Sequence, residues 1–251
     1  MNKKTLSVFE QYFRYVNYMA AAQLYLKDNF FLEKPLEKEH VKERILGHWG
    51  TCPGLSFFYM HANYLISKTN AHMLFIAGPG HGAPGVLSNL FAEGTMSEFY
   101  EEYSFDGRGA GNLMRNFSWP GGLPSHLYPG IPGSILEGGE LGYSLSTAFG
   151  AVFDNPDLIA VCAVGDGESE TGPLAAAWHS TKFLNAQKDG AVLPIVHVNG
   201  YKISGPTLFG TMSDGELQHL FTGLGYQIRV VGHDHEEMAD TMQWAYDEIR
   251  R

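Results

Sequence analysis

Two short polar stretches and three loop histidines hold the residue types in this chain that can do chemistry. The first stretch, Val161-Cys162-Ala163-Val164-Gly165-Asp166-Gly167-Glu168, sets a carboxylate between two glycines at the end of an apolar run. Gly165 and Gly167 let the backbone turn sharply and approach a bulky anion with no Cβ in the way. The second, His197-Val198-Asn199-Gly200-Tyr201-Lys202, ends the next apolar run with an amide oxygen. Asp166, Asn199 and a main-chain carbonyl near Tyr201 make three hard protein oxygens. Two diphosphate oxygens and a water would complete the octahedron that Mg²⁺ demands. Amides at the start of a helix after Gly167 would help to hold the anion. Gly-Asp-Gly and Asn-Gly are each ordinary turns. Their occurrence together, at successive strand ends, is what points to a metal–diphosphate site.

His48, His81 and His126 each lie in a Gly/Pro-rich stretch and not on an apolar helical face. Catalytic groups favour loops on a rigid sheet, and imidazole exchanges protons near neutral pH. Taken singly, each is more simply a hydrogen-bond partner of its own loop backbone. His61, His72, His179 and His197 read as packing or hydrogen-bonded residues, and His233 and His235 as turn residues before the last helix. Glu168 and Glu170 suit the first turn of a helix through the dipole alone. Glu168 is close enough to the motif to neighbour the anion, and Glu170 reads as structural. Lys202 is within reach of a phosphate, although an exposed turn lysine is the simpler reading.

The elements that must position these groups follow from periodicity. Tyr12 to Lys27 and Glu37 to Leu46 are helix-compatible, and a Gly/Pro-rich break follows at residues 47–54. A helix over Leu55 to Lys68 precedes a short apolar strand, His72 to Ala77, bounded by Gly78-Pro79-Gly80-His81-Gly82. Residues 83–137 are rich in Gly and Pro with few periodic segments, a pattern of long functional connections. Helices over Glu140 to Phe153, Gly172 to Leu184 and Ser213 to Leu224 alternate with strands over Leu158 to Val164, Val192 to Val198 and Tyr226 to Val231. The last helix, Glu236 to Ile249, groups Met238, Met242, Ala245, Tyr246 and Ile249 on one face. Alternating strands and helices, each strand a continuous apolar run, predict an α/β fold: a doubly wound, mostly parallel sheet with helices on both faces. Ligands of such folds sit at the carboxyl ends of the strands, where the glycine motifs fall. The division expected is a helical extension at residues 1–46 and one domain at 47–251.

Composition narrows the function classes. With 44% hydrophobic and 18% charged residues the chain can bury a sizeable core. A formal net charge of -10 disfavours a nucleic-acid partner. Cys52 and Cys162 form no CxxC pair, which suits a reduced, cytoplasmic protein. No apolar stretch is long enough for a membrane span or a signal core. The final helix reaches Arg251 with no capping glycine, so the expectation is a chain that stops without finishing.

The metal–diphosphate pair resembles the fingerprint shared by thiamine-diphosphate enzymes, and wider stretches narrow it to the phosphoketolase family. These are Gly47-His48-Trp49-Gly50-Thr51, Gly78-Pro79-Gly80-His81-Gly82, Ser118-Trp119-Pro120-Gly121-Gly122, Ser125-His126 and Glu137-Gly138-Gly139-Glu140-Leu141-Gly142-Tyr143. Gly165 through Leu174 and Asn199-Gly200-Tyr201-Lys202-Ile203 complete the set. The resemblance implies a thiamin diphosphate-binding fold with thiamine diphosphate and Mg²⁺ as cofactors. It implies cleavage of xylulose 5-phosphate or fructose 6-phosphate by inorganic phosphate, to acetyl phosphate and an aldose phosphate. His48, His81 and His126 would be the catalytic residues. Thr51, Gly139, Glu140, Leu141, Gly165, Asp166, Gly167, Glu168, Asn199, Lys202 and Ile203 would contact the cofactor, and Asp166, Asn199 and Tyr201 the metal. It further implies a homo-oligomeric parent enzyme whose chain continues for several hundred residues, through a pyrimidine-binding domain with the cofactor-activating glutamate. The expectation is therefore a fragment, a truncated product or one subunit of a split enzyme, inactive alone. A split transketolase subunit or a non-catalytic binding domain are the alternatives.

Overall fold

Three apolar runs become parallel strands, β1 (His72–Ala77), β2 (Leu158–Gly165) and β3 (Ala191–His197), in the spatial order β1-β2-β3. Their register pairs Ala77 with Ala163 and Gly165 with His197. The structure, a computed structural model, describes all of residues 1–251. β2 is the central strand, and it alone of the three is buried nearly throughout, from Ile159 to Val164. Each fully buried Val or Ile contributes roughly 1.5–3 kcal/mol. A two-stranded antiparallel ribbon, β4 (Tyr201–Lys202) and β5 (Gly205–Pro206), follows β3.

The helices are α1 (Lys3–Tyr25), α2 (Cys52–Thr69), α3 (Ala83–Ala92), α4 (Thr95–Phe99), α5 (Gly107–Asn116), α6 (Ser144–Ala151), α7 (Gly172–Ala177), α8 (Leu208–Thr211), α9 (Asp214–Gly223) and α10 (His235–Ile249). Several starts are written in side chains. Asp106 accepts from Gly109 N–H before α5, Asp234 from Glu237 N–H before α10, and Ser213 with Glu216 forms a capping box before α9. Met238, Met242 and Ala245 of α10 are buried as their spacing predicts. The result is an α/β fold, a parallel three-stranded sheet flanked by helices. No helix is long and apolar enough to cross a membrane.

By contacts the chain forms two compact units. One comprises Met1–Leu6, His61–Pro79 and Glu140–Arg251 and contains the sheet. Trp178 packs edge-on against Phe221 and Tyr226 there, at centroid distances of 4.9 and 5.4 Å. The other unit comprises Ser7–Met60 and Gly80–Gly139. In it Gln23 donates to Ser88 Oγ and to Pro84 O, tying α1 to α3.

Three local expectations are corrected. Glu37 to Leu46 holds only one 3₁₀ turn, Lys38–His40, because its backbone is drawn onto the end of α1: Leu26 bridges Val41 and Lys42 N–H donates to Tyr25 O. Residues 83–137 contain α3, α4 and α5; proline there starts a helix, and Gly85 leaves room for Cys52 O, which a Cβ would approach to 2.7 Å. Tyr226 to Val231 joins no ladder. Side chains fix it instead, Tyr226 Oη donating to Trp178 O and Arg229 stacking 4.2 Å over the Trp244 ring.

Lys42 is the residue on which the second unit turns. It is 6% exposed, and its ammonium donates to Gln23 O (2.7 Å), Phe117 O (2.9 Å) and Met114 O (3.3 Å). Gln23 and Met114 lie in the last turns of α1 and α5, whose carbonyls lack intrahelical donors. One cation thus caps the negative ends of two helices. Burial lowers its pKa to about 8, so it is still largely charged at pH 7. Lys42→Met should cost about 3 kcal/mol, because the lost desolvation penalty offsets only part of three orphaned acceptors. A urea midpoint equal to that of the wild type would refute this.

Candidate functional site

At the end of β2 the backbone hands directly into the Gly-Asp-Gly turn. Asp166 N–H donates to His197 O at 3.2 Å, so the turn continues the β2–β3 ladder by one rung. The Asp166 side chain is 3% exposed. Its Oδ1 accepts from Gly167 N–H at 2.9 Å, and its Oδ2 from Gly200 N–H at 2.8 Å and Thr207 Oγ1 at 2.7 Å. Asn199 leaves the end of β3 exposed, and its Oδ1 accepts from Tyr201 N–H at 3.1 Å. Gly200, at φ +84°, makes the turn between them in the left-handed region. The two expected metal ligands therefore sit at adjacent strand ends, bridged by Gly200.

The chemistry of these donors would suit a small hard cation. A carboxylate has about four acceptor positions and an amide oxygen two. The hydrogen bonds above leave one position on Asp166 and one on Asn199. No cluster of three His, Cys, Asp or Glu side chains is arranged to hold a metal. The expected set has one carboxylate, one amide and a main-chain carbonyl, which is not such a cluster.

Glu168 is buried at 2% exposure, and its carboxylate is already committed. Oε1 accepts from Ser144 Oγ (2.7 Å) and Gly142 N–H (3.1 Å), and Oε2 from Gly165 N–H (3.3 Å). Burial raises its pKa while these donors pull it down. The side chain pins the start of α6 to the end of β2, and a Cβ on Gly78 would overlap its Oε2. Lys202 pairs with Glu170, which also accepts from Leu208 N–H at 2.7 Å. The helix expected directly after Gly167 begins only at Gly172; a 3₁₀ turn, Glu168–Glu170, intervenes. Glu140, Leu141 and Ile203 are exposed, Ile203 at 93%.

The three loop histidines converge within the second unit. The His48 and His81 rings meet edge-on at 4.7 Å, and His81 and His126 at 6.5 Å. His48 N–H also donates to His81 O. His81 Nε2 is 3.1 Å from Thr51 Oγ1, and His126 Nδ1 is 2.9 Å from Ser125 Oγ. Burial first, then the neighbouring imidazoles, lower the His81 pKa to about 4, so it is neutral at physiological pH. Close packing of Gly80 against Gly138 holds this loop: Leu127 N–H donates to Gly80 O, and Gly138 N–H to Leu127 O. A second histidine pair, His61 and His235, stacks at 5.3 Å with Nε2 and Nδ1 3.0 Å apart.

Sequence reasoning did not single out Thr207, Ser144 or Lys42. Thr207 had a signal, a threonine directly before a short helix. Ser144 and Lys42 had none, since their partners lie far away in sequence.

Residues 1–251 match the XFP N-terminal domain family. Probable phosphoketolases are similar over the whole chain. That of Chlorobaculum tepidum is 54% identical over 99% of this chain and 32% of its own length. That of Nitrosomonas europaea is 56% identical over 98% and 32%, and that of Brucella abortus 51% over 100% and 32%. The chain spans about a third of the length of these curated relatives. A solved transketolase from Pichia stipitis, a mutant in complex with xylulose 5-phosphate, is similar at TM-score 0.61 over 94% of this chain and 33% of its own. At 17% identity that likeness speaks for the fold alone.

Proposed function

Since the chain belongs to the XFP N-terminal domain family, we propose that it is the diphosphate-binding part of a thiamine-diphosphate-dependent phosphoketolase. The observation that carries the proposal is Asp166 and Asn199, hard oxygens with acceptor capacity to spare at adjacent strand ends. Asp166, Asn199 and the Tyr201 carbonyl would hold Mg²⁺. Thr51, Gly139, Glu140, Leu141, Gly165, Gly167, Glu168, Lys202 and Ile203 would line thiamine diphosphate. Glu168 does so through its backbone, its carboxylate being spent on Gly142, Ser144 and Gly165. The proposal includes an amino-terminal segment at 1–46, helical over α1, a cofactor domain at 47–251, and a cytoplasmic, oligomeric parent enzyme.

When bound, thiamine diphosphate supplies the carbanion chemistry that breaks a ketose carbon–carbon bond. The chain's own part is binding and proton traffic. His81 has Nε2 engaged by Thr51, so Nδ1 is the nitrogen for exchange with a hydroxyl of xylulose 5-phosphate or fructose 6-phosphate. Being neutral, it can accept that proton at pH 7. His126, held at Nδ1 by Ser125, offers Nε2, and exposed His48 completes the trio.

The direct test is binding. Thiamine diphosphate titrated with the 251-residue chain should show ³¹P line broadening at millimolar concentration, and the effect should require Mg²⁺. Broadening that ignores Mg²⁺, or none at all, would refute the site.

A further inference from the structure

Thr207 is fully buried, yet it is a polar residue in a segment that is otherwise mostly exposed. Its backbone N–H donates to Gly200 O at 3.0 Å, closing the β4–β5 ribbon. Its Oγ1 accepts from Gly210 N–H at 3.1 Å as the N-cap of α8. With that lone pair used, the hydroxyl proton is free to point elsewhere, and 2.7 Å away stands Asp166 Oδ2. An ionised carboxylate only accepts, so the direction of this bond is settled: Thr207 donates. Gly200 N–H donates to the same oxygen at 2.8 Å. Oδ2 therefore has both acceptor positions filled. Oδ1, with only Gly167 N–H, has one left.

We propose that Thr207 is a metal-selectivity residue: by saturating Asp166 Oδ2, it restricts Asp166 to one-oxygen coordination through Oδ1. This rests on the reading of Asp166 as a metal ligand. The two common hard divalent cations respond differently to such a restriction. Mg²⁺ requires a near-ideal octahedron and takes a carboxylate through one oxygen readily. Ca²⁺ takes six to eight oxygens and gains from bidentate carboxylates. A carboxylate with one oxygen closed suits the first and handicaps the second. Opening Oδ2 removes the handicap. Thr207 touches neither metal nor substrate, so it is a positioning residue that acts through Asp166.

The test is a selectivity ratio. Mn²⁺ bound to the chain with thiamine diphosphate is followed by water-proton relaxation and displaced by Mg²⁺ or by Ca²⁺. Thr207→Val removes the hydroxyl at constant shape and should shift the Mg²⁺/Ca²⁺ preference toward Ca²⁺ by about tenfold, within the range that outer-shell partners of metal ligands control. Thr207→Ser keeps the donor and should keep the wild-type ratio. Thr207→Ala gives the same readout as the valine variant should the latter not fold. An unchanged ratio in both hydroxyl-free variants overturns the proposal. So does equal weakening of both cations, which would assign Thr207 a purely structural role. A wild-type chain that binds no cation in the presence of thiamine diphosphate overturns the underlying reading of Asp166, a result distinct from either.

Discussion

Assayed as these 251 residues, the chain should make no acetyl phosphate from xylulose 5-phosphate and phosphate, even with thiamine diphosphate and Mg²⁺ supplied. Adding the carboxyl-terminal two thirds of a curated relative should restore turnover. The proposed site grips the cofactor by its diphosphate end. In the family it resembles, the pyrimidine ring and its activating glutamate belong to a later domain. Without that partner, acid–base assistance of about 10²–10⁴-fold is forfeited along with much of the advantage of orientation. The measurement is acetyl phosphate formation by the chain alone, by the carboxyl-terminal portion alone, and by the mixture. Robust turnover by the chain alone would show that the grip on one end of the cofactor suffices. Within an active mixture, loss of activity in a His81→Ala chain would tie the histidine cluster to the chemistry.

The second large effect belongs to Asp166. Asp166→Asn should lower Mg²⁺-dependent binding of thiamine diphosphate at least about 100-fold, since even residues that only hydrogen-bond to metal ligands are worth about 10–100-fold. Charge is one reason. The other is local: an asparagine amide has one acceptor oxygen, while the aspartate serves Gly167 N–H on one side and Gly200 N–H with Thr207 on the other. Whichever way the amide is turned, NH₂ faces a donor. The ribbon that carries Tyr201 and Lys202 then loses its anchor at the same time as the ligand is lost. Isothermal titration of both chains with Mg²⁺ and thiamine diphosphate checks this. Equal affinities would remove Asp166 from the metal site.

Much of the site's frame was legible because it is local. Strands ending in Gly165 and near Asn199 were readable from apolar runs that stop at glycine motifs, and they stand where the runs placed them. The convergence of His48, His81 and His126 was legible only through resemblance, since they come from loops far apart in sequence. What no local pattern revealed was the use made of polar side chains once buried. Glu168 reads as a first-turn acid neighbouring the anion, but it is an interior acceptor for three donors. Lys42 reads as one charge on a polar helix, yet non-local carbonyls claim it and the helix is never formed. Helices α3 and α5 were obscured for the opposite reason: their glycines serve close packing, which composition cannot distinguish from looseness.

The two crossovers of the sheet differ greatly in length, and this bears on how the chain acquires its structure. About 25 residues connect β2 to β3, whereas about 80 connect β1 to β2. For flexible loops the closure entropy grows only with the logarithm of length, so the longer connection costs about 1 kcal/mol more. As an equilibrium matter the insertion of residues 80–139 between β1 and β2 is therefore cheap. As a kinetic matter it is not, because sequence-distant pairings slow folding far more than they weaken the product. The β2–β3 pair, which carries both Gly165 and the approach to Asn199, is thus the part of the sheet that can nucleate early. On the same argument β1 should pair later, after the long intervening segment has ordered. The strand ends that carry Asp166 and Asn199, the proposed metal ligands, belong to that early-forming pair.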